Sequence, residues 1–260
     1  MKFRHLLLSL ACAMTINIDV KAEDVNVDYI NQNSTITEEG VKCFNAKDYQ
    51  CAFEKMSKTA ENGDVVALLH LGDMYFQGYG VKADRALGMS YLKRAADAGN
   101  ITAELVLGTK YAFVDEFKDF ERGLHYLGKC AEKKHAHCQV ELGILWQRAT
   151  DKENHKQLAA KWFYESANQG YSLGLLYYGE ALLFGEGVVK DVPAAANCLE
   201  LAAKRGQSTA AYYMGVIHSS GDLGKPDLKA ALQWHEKALE GGIEPARQQI
   251  QVLKQLLGNS

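Results

Sequence analysis

The chain of 260 residues has no run of about 18 apolar residues, so no segment is long enough to cross a bilayer as a helix. It has no basic excess either. Lys and Arg number 29 against 32 Asp and Glu, a net charge of −3, and no basic cluster stands out, which argues against nucleic acid as a partner. Missing too is the company that a catalytic nucleophile needs. Ser90-Tyr91-Leu92-Lys93 matches the Ser-x-x-Lys pattern of penicillin-recognising enzymes, but no Ser-Asp-Asn or Lys-Thr-Gly element accompanies it, and Lys93 falls on a solvated helix face. His70, His125, His155, His218 and His235 are scattered without a fixed acidic partner. No catalytic residue follows, and no cofactor.

What is present begins with a leader. Lys2, Arg4 and His5 form a basic head, Leu6 to Met14 is a short apolar run, and Val20-Lys21-Ala22 places small residues where a signal peptidase reads. Residues 1–22 are expected to be a signal peptide cut after Ala22, which directs the protein to the periplasm or outside the cell. The cut removes Lys2, Arg4, Lys21 and Asp19 and leaves a formal charge of −5. A competing reading takes Ser9-Leu10-Ala11-Cys12 as a lipobox, although the usual leucine three residues before the cysteine is missing. The mature chain keeps Cys43, Cys51, Cys130, Cys138 and Cys198, which an oxidising compartment makes disulfide candidates. Cys43 to Cys51 and Cys130 to Cys138 share one spacing, and these are the expected pairs. Two other readings remain: reduced core cysteines, or Cys130-x4-His135-x-His137-Cys138 as metal ligands, though that spacing matches no common zinc pattern. No metal is assigned. Cys198 is expected in the core, with an intermolecular bond as the alternative.

The strongest signal is a repeat. Leu71-Gly72 returns as Leu107-Gly108, Leu142-Gly143, Tyr178-Gly179 and Met214-Gly215, every 35 or 36 residues. A unit of this length cannot bury its apolar face alone, so neighbours stack around one continuous core. With each pair's glycine as position zero, the best unit has Ala67 at −5, Leu71 at −1, Tyr75 at +3, Gly78 and Gly80 at +6 and +8, Asp84 at +12, Tyr91 at +19, Ala95 and Ala96 at +23 and +24, and Gly99 at +27. Positions −5, −1 and +3 lie on one helical face, and the zero glycine lets another helix approach. Gly78 and Gly80 stop the first helix, Asp84 caps the second, and Tyr91 with the alanine pair packs inward. The fourth unit repeats this nearly in full. The second reads Phe113-Val114-Asp115-Glu116-Phe117 through the turn, which must be built differently, and the third has Ala149 where the loop glycine belongs. The expected organisation is a linker at 23–36 and a repeat array at 37–260, with a leading hairpin at 37–63, five repeats over about 66–242 and a C-terminal capping helix at 245–257.

The run Ala-x3-Leu-Gly-x2-Tyr-x2-Gly-x-Gly-Val-x2-Asp at Ala67 to Asp84, followed by Ala95-Ala96-x2-Gly99, resembles the Sel1-like repeat, a relative of the tetratricopeptide repeat. The resemblance covers roughly residues 37–257. It implies an all-α fold, a right-handed superhelical α/α solenoid, serving as an adaptor or binding scaffold and often exported in bacteria. The spacing of Cys130 and Cys138 is also similar to that of the Helicobacter cysteine-rich proteins, some of which are described as β-lactamases, although only two segments here carry such a pair.

Beside the consensus stripe, positions −2, +2 and +5 form a second stripe that the repeat leaves unconstrained. Exposed aromatics and an arginine there are the residue types that dominate interface energies. Phe113, Glu141, Arg148, Tyr177, Phe184 and Tyr213 are therefore the candidate lining of a groove on the concave face that receives a segment of another protein. The same aromatics also suit gap-filling between helices. The alternative functions are a β-lactam-handling enzyme and a peptidoglycan or glycan binder.

Overall fold

A computed structural model describes residues 35–258. The expected leader and all but the end of the linker lie outside the described residues. These contain thirteen α-helices and no strand. In chain order they are α1 (Thr35–Asn45), α2 (Tyr49–Glu61), α3 (Val65–Gln77), α4 (Arg85–Asp97), α5 (Ile101–Phe113), α6 (Phe120–Glu132), α7 (Ala136–Arg148), α8 (His155–Asn168), α9 (Ser172–Phe184), α10 (Val192–Lys204), α11 (Ser208–Ser220), α12 (Leu228–Glu240) and α13 (Ala246–Gly258). They fall into two compact units that divide between Tyr91 and Leu92, within α4.

The first unit is built on α1, α2, α3 and the start of α4. Cys43 and Cys51 are bonded, tying α1 to α2 as expected from their spacing. Ala52, Met56, Ala67, Leu71 and Met74 form its buried interior. The loop after α3 needs its glycines for two reasons. Gly78 ends the helix in the left-handed conformation at φ 81°, and a Cβ on Gly80 would lie 2.8 Å from the backbone of Tyr49. Asp84 then caps α4 by accepting from the Leu87 N–H at 2.9 Å.

The second unit repeats one hairpin design through α5 to α12. Its caps use the expected aspartates at +12, Asp191 accepting from Ala194 N–H and Asp227 from Ala230 N–H, both at 2.9 Å, while in the irregular second repeat Asp119, at +11, accepts from Arg122 N–H at 3.0 Å. The zero glycines mark close approach, as the pattern implied, and what approaches them is one residue per repeat. A Cβ on Gly108 would meet Leu127 at 2.7 Å, one on Gly179 would meet Leu199 at 2.8 Å, one on Gly215 would meet His235 at 2.7 Å, and one on Gly143 would strike Phe163. The pattern pointed one residue too early. Tyr91, Trp162, Cys198 and Trp234 at +19 are only half-buried, while Leu92, Phe163, Leu199 and His235 at +20 are almost fully enclosed. The reason is angular: a step of one residue turns a helix by about 100°, and in the third, fourth and fifth repeats the glycine cleft admits the +20 side chain, leaving +19 to the edge, whereas in the second repeat Leu127 at +19 fills it.

Two loops depart from the glycine pattern. After α5, Val114 turns extended and a short 3-10 helix (Asp115–Phe117) replaces the glycine turn. After α7, Ala149 keeps a negative φ and Asn154 takes the left-handed conformation instead, at φ 56°. Cys130 and Cys138 are bonded and join the end of α6 to the start of α7, so neither thiolate serves a metal in this arrangement. His135 caps α7, its Nδ1 accepting from the Cys138 N–H at 3.4 Å. Beneath the same hairpin, Glu104 is fully buried and paired with Lys133 at 2.8 Å and Lys129 at 3.2 Å. Ala246, Ile250 and Leu253 bury one side of α13.

Candidate functional site

The six candidate groove residues lie in the second unit, on or beside the first helices of consecutive hairpins, α5, α7, α9 and α11. Their exposure differs from the expectation of a uniformly open stripe. Arg148 and Phe184 are exposed, Phe113 and Tyr177 half-buried, and Glu141 and Tyr213 buried at 2% and 8% exposure. At −2, Tyr177 and Tyr213 pack against Phe163 and Phe184 of the preceding hairpin.

The residues nonetheless connect. The Arg148 guanidinium sits over the Phe113 ring at 4.9 Å, a cation–π contact between α7 and α5. Tyr177 stacks on Phe163 at 5.0 Å, and burial together with the charges of Glu180 and Glu141 raises its phenol, with Arg148 opposing. Phe184 meets Tyr213 edge-on at 5.9 Å. Tyr213, raised first by burial and then by Glu180, hydrogen-bonds Glu180. Phe113, Arg148, Glu141, Tyr177, Glu180, Tyr213 and Phe184 thus form one row across four helices.

Glu180 was not singled out by the sequence. It was visible as the one charged residue in Ser172-Leu-Gly-Leu-Leu-Tyr-Tyr-Gly-Glu-Ala-Leu-Leu-Phe184, a helix otherwise apolar on every side. Burial pushes its carboxyl up to about 8, with the Tyr213 hydrogen bond pulling it down and Glu186 adding to the rise. It is therefore mostly protonated at neutral pH. Glu141 has a different problem. Its Oε1 lies 3.3 Å from His137 Nε2, yet neither buried atom has a hydrogen-bond partner.

The penicillin-type pattern finds no site. The Ser90 hydroxyl donates to the Leu87 carbonyl one turn back at 2.7 Å, and Lys93 is paired with Asp97 on the helix surface. Cys198 is unbonded and half-buried, and burial raises its thiol, so it lacks the lowered pKa of a reactive cysteine.

The Sel1 repeat model matches residues 65–100, 136–171, 172–207 and 208–243, more than half of the chain. The chain belongs to the Sel1 repeat family. Sel1 repeats generally mediate protein–protein interaction, and proteins of the family are typically scaffolds without catalysis. The solved structure of a protective antigen of uropathogenic Escherichia coli, which has an SLR fold, is similar with a TM-score of 0.78 and 25% identity, covering 85% of this chain and 48% of that one. A Sel1 repeat protein of Oxalobacter formigenes shares the fold with a TM-score of 0.74 and 21% identity, over 84% and 87% of the two chains. An uncharacterised protein of Neisseria meningitidis serogroup B is 26% identical over 185 residues, 69% of this chain. This Sel1 chain spans 37% of that relative's length. Residues 101–135, the hairpin whose first loop is a 3-10 turn, fall between the matched repeats.

Proposed function

We propose that this Sel1 repeat protein is an exported scaffold that captures another protein on the first-helix face of its second unit. One observation carries the reading: the row from Phe113 to Phe184, in which an exposed arginine stacked on an aromatic ring and an exposed phenylalanine flank tyrosines held in place by buried contacts. Rigid aromatics and arginine give large contact area at low entropic cost, which is why they dominate interface energies. Export is supported by the leader-like sequence and by two disulfides, bonds that persist in oxidising compartments. Among the described residues no helix is long and apolar enough to cross a membrane.

The test is substitution at the two exposed anchors. Arg148→Ala and Phe184→Ala are each expected to weaken capture of the partner by about 1–3 kcal/mol, roughly tenfold or more, with folding unchanged. Binding by isothermal titration that is indifferent to both changes removes this face from the account.

A further inference from the structure

The two disulfides close loops of the same size, with a sequence separation of 8, and each loop has a lysine in the left-handed conformation at its midpoint, Lys47 and Lys134, both at φ 62°. In each, the second cysteine lies in the first turn of the following helix, and its N–H is held by the side chain that caps that helix. The caps differ. Asp48 holds the Cys51 N–H through a carboxylate at 3.1 Å, and its negative charge opposes a thiolate there. His135 holds the Cys138 N–H through Nδ1 at 3.4 Å, and the same nitrogen lies 3.2 Å from Cys138 Sγ. Asp or Asn caps α2, α3, α5, α6, α10 and α12, so a histidine in this place is a departure from the pattern. Burial lowers the pKa of His135, with the charge of His137 adding to the effect, which leaves the imidazole neutral and Nδ1 free to accept. Cys130 has an acceptor of its own, the Leu127 carbonyl oxygen 3.4 Å from its Sγ. A disulfide has no hydrogen to give to either acceptor, whereas two thiols do.

We propose that the Cys130–Cys138 bond is a reversible thiol–disulfide switch opened by a dithiol, with Cys138 as the sulfur that leaves and His135 as its positioning residue. The switch is independent of the docking face. A thiolate of the donor attacks Cys130 Sγ and forms a mixed disulfide; the bond between the two cysteines breaks, and its electron pair leaves on Cys138 Sγ, beside the N-terminal N–H groups of α7. That sulfur takes a proton from solvent and hydrogen-bonds His135 Nδ1. The donor's second thiol then displaces Cys130, which is protonated in turn and faces the Leu127 carbonyl. Two electrons and two protons have passed from the dithiol, which closes its own disulfide. Both sulfurs are fully enclosed, so the exchange passes through an opened turn. Residues 132–134 are exposed, and Lys134 holds the conformation that Gly99, Gly170 and Gly206 hold in the equivalent turns without a Cβ to oppose it. Opening the turn relieves that conformation, and reduction unties α6 from α7.

The test equilibrates the folded protein with mixtures of reduced and oxidised dithiothreitol, quenches with acid, alkylates the free thiols and reads each cysteine pair by peptide mass spectrometry. Cys43–Cys51 serves as the internal reference. Cys130–Cys138 is expected to reach half-reduction at a ratio of reduced to oxidised reagent roughly tenfold lower than Cys43–Cys51 does. His135→Asp keeps a cap of the kind that α2 has but puts a negative charge beside Cys138. It is expected to raise the ratio for Cys130–Cys138 roughly tenfold and to leave Cys43–Cys51 unchanged, whereas a histidine that served only as a cap would move neither. Should that variant misfold, the comparison of the two bonds in the unaltered protein decides. Equal ratios for the two bonds, or a Cys130–Cys138 midpoint indifferent to His135→Asp, overturns the proposal. Where only Cys130–Cys138 is open, amide hydrogen exchange through residues 131–137 is expected to quicken roughly tenfold while α9 to α11 keep their protection. Unchanged exchange in that turn also overturns the proposal, because a joint that does not loosen switches nothing.

Discussion

At the scale of the residue, His235 is the clearest anomaly in the repeat. It occupies the +20 position against Gly215, where the fourth repeat places Leu199 against Gly179 and the second uses Leu127, at +19, against Gly108. Its ring is 1% exposed, its Nδ1 has no hydrogen-bond partner, and burial lowers its pKa to about 4. His235→Leu is therefore expected to stabilise the protein by about 1–2 kcal/mol at pH 7.5, read by urea denaturation. The pH dependence follows from the direction of the shift. The unfolded chain protonates this group near 6.5 and the folded chain only near 4, so the stability is present above 6.5 and is lost as pH falls towards 4. Glu180 acts in the opposite sense, since its folded pKa of about 8 lies above its unfolded value, and its contribution grows as pH falls from 8 to 4.5. The difference between wild type and His235→Leu isolates the histidine. Between pH 7 and 5 the wild type is expected to lose about 1–2 kcal/mol more than the variant, and equal losses would contradict a neutral, enclosed ring.

At the scale of the element, the hairpins were legible because their demands are chemical. A glycine at close approach, an aspartate at a helix start and paired alanines leave few substitutes, so Gly108, Asp191 and Ala202-Ala203 stand out from spacing alone. The +20 position was not legible, because Leu, Phe, Leu and His share only the space they fill, while the conspicuous aromatics at +19 drew attention to the half-buried edge. Burial of Tyr213 was hidden for a related reason: its ring packs against Phe184 of the preceding repeat. The cysteine pairs were readable from their matched spacing. The bond between Cys130 and Cys138 closes a short loop, and replacing both cysteines with serine is expected to cost about 2–3 kcal/mol, measured by thermal denaturation. Thiol counting on the exported protein, denatured without reductant, should find one free thiol, Cys198. Five would contradict both bonds.

At the scale of the whole molecule, the repeat period determined the fold class, since hairpins of this length have no interior of their own and must stack. The row proposed as a docking face was only half legible. Residue types at −2 and +5 named most of its members, but the row exists through contacts between repeats, and Glu180, at a position outside that stripe, joins it only in three dimensions. The central claim is that this face, and not the outer surface of the second helices, meets a partner. A photo-crosslinking amino acid placed at Phe184 in the native host should give one discrete protein adduct, while the same group at Leu201 on α10, similarly exposed at 46% against 40%, should give none. Adducts of equal yield at both positions, or at Leu201 alone, would contradict the account.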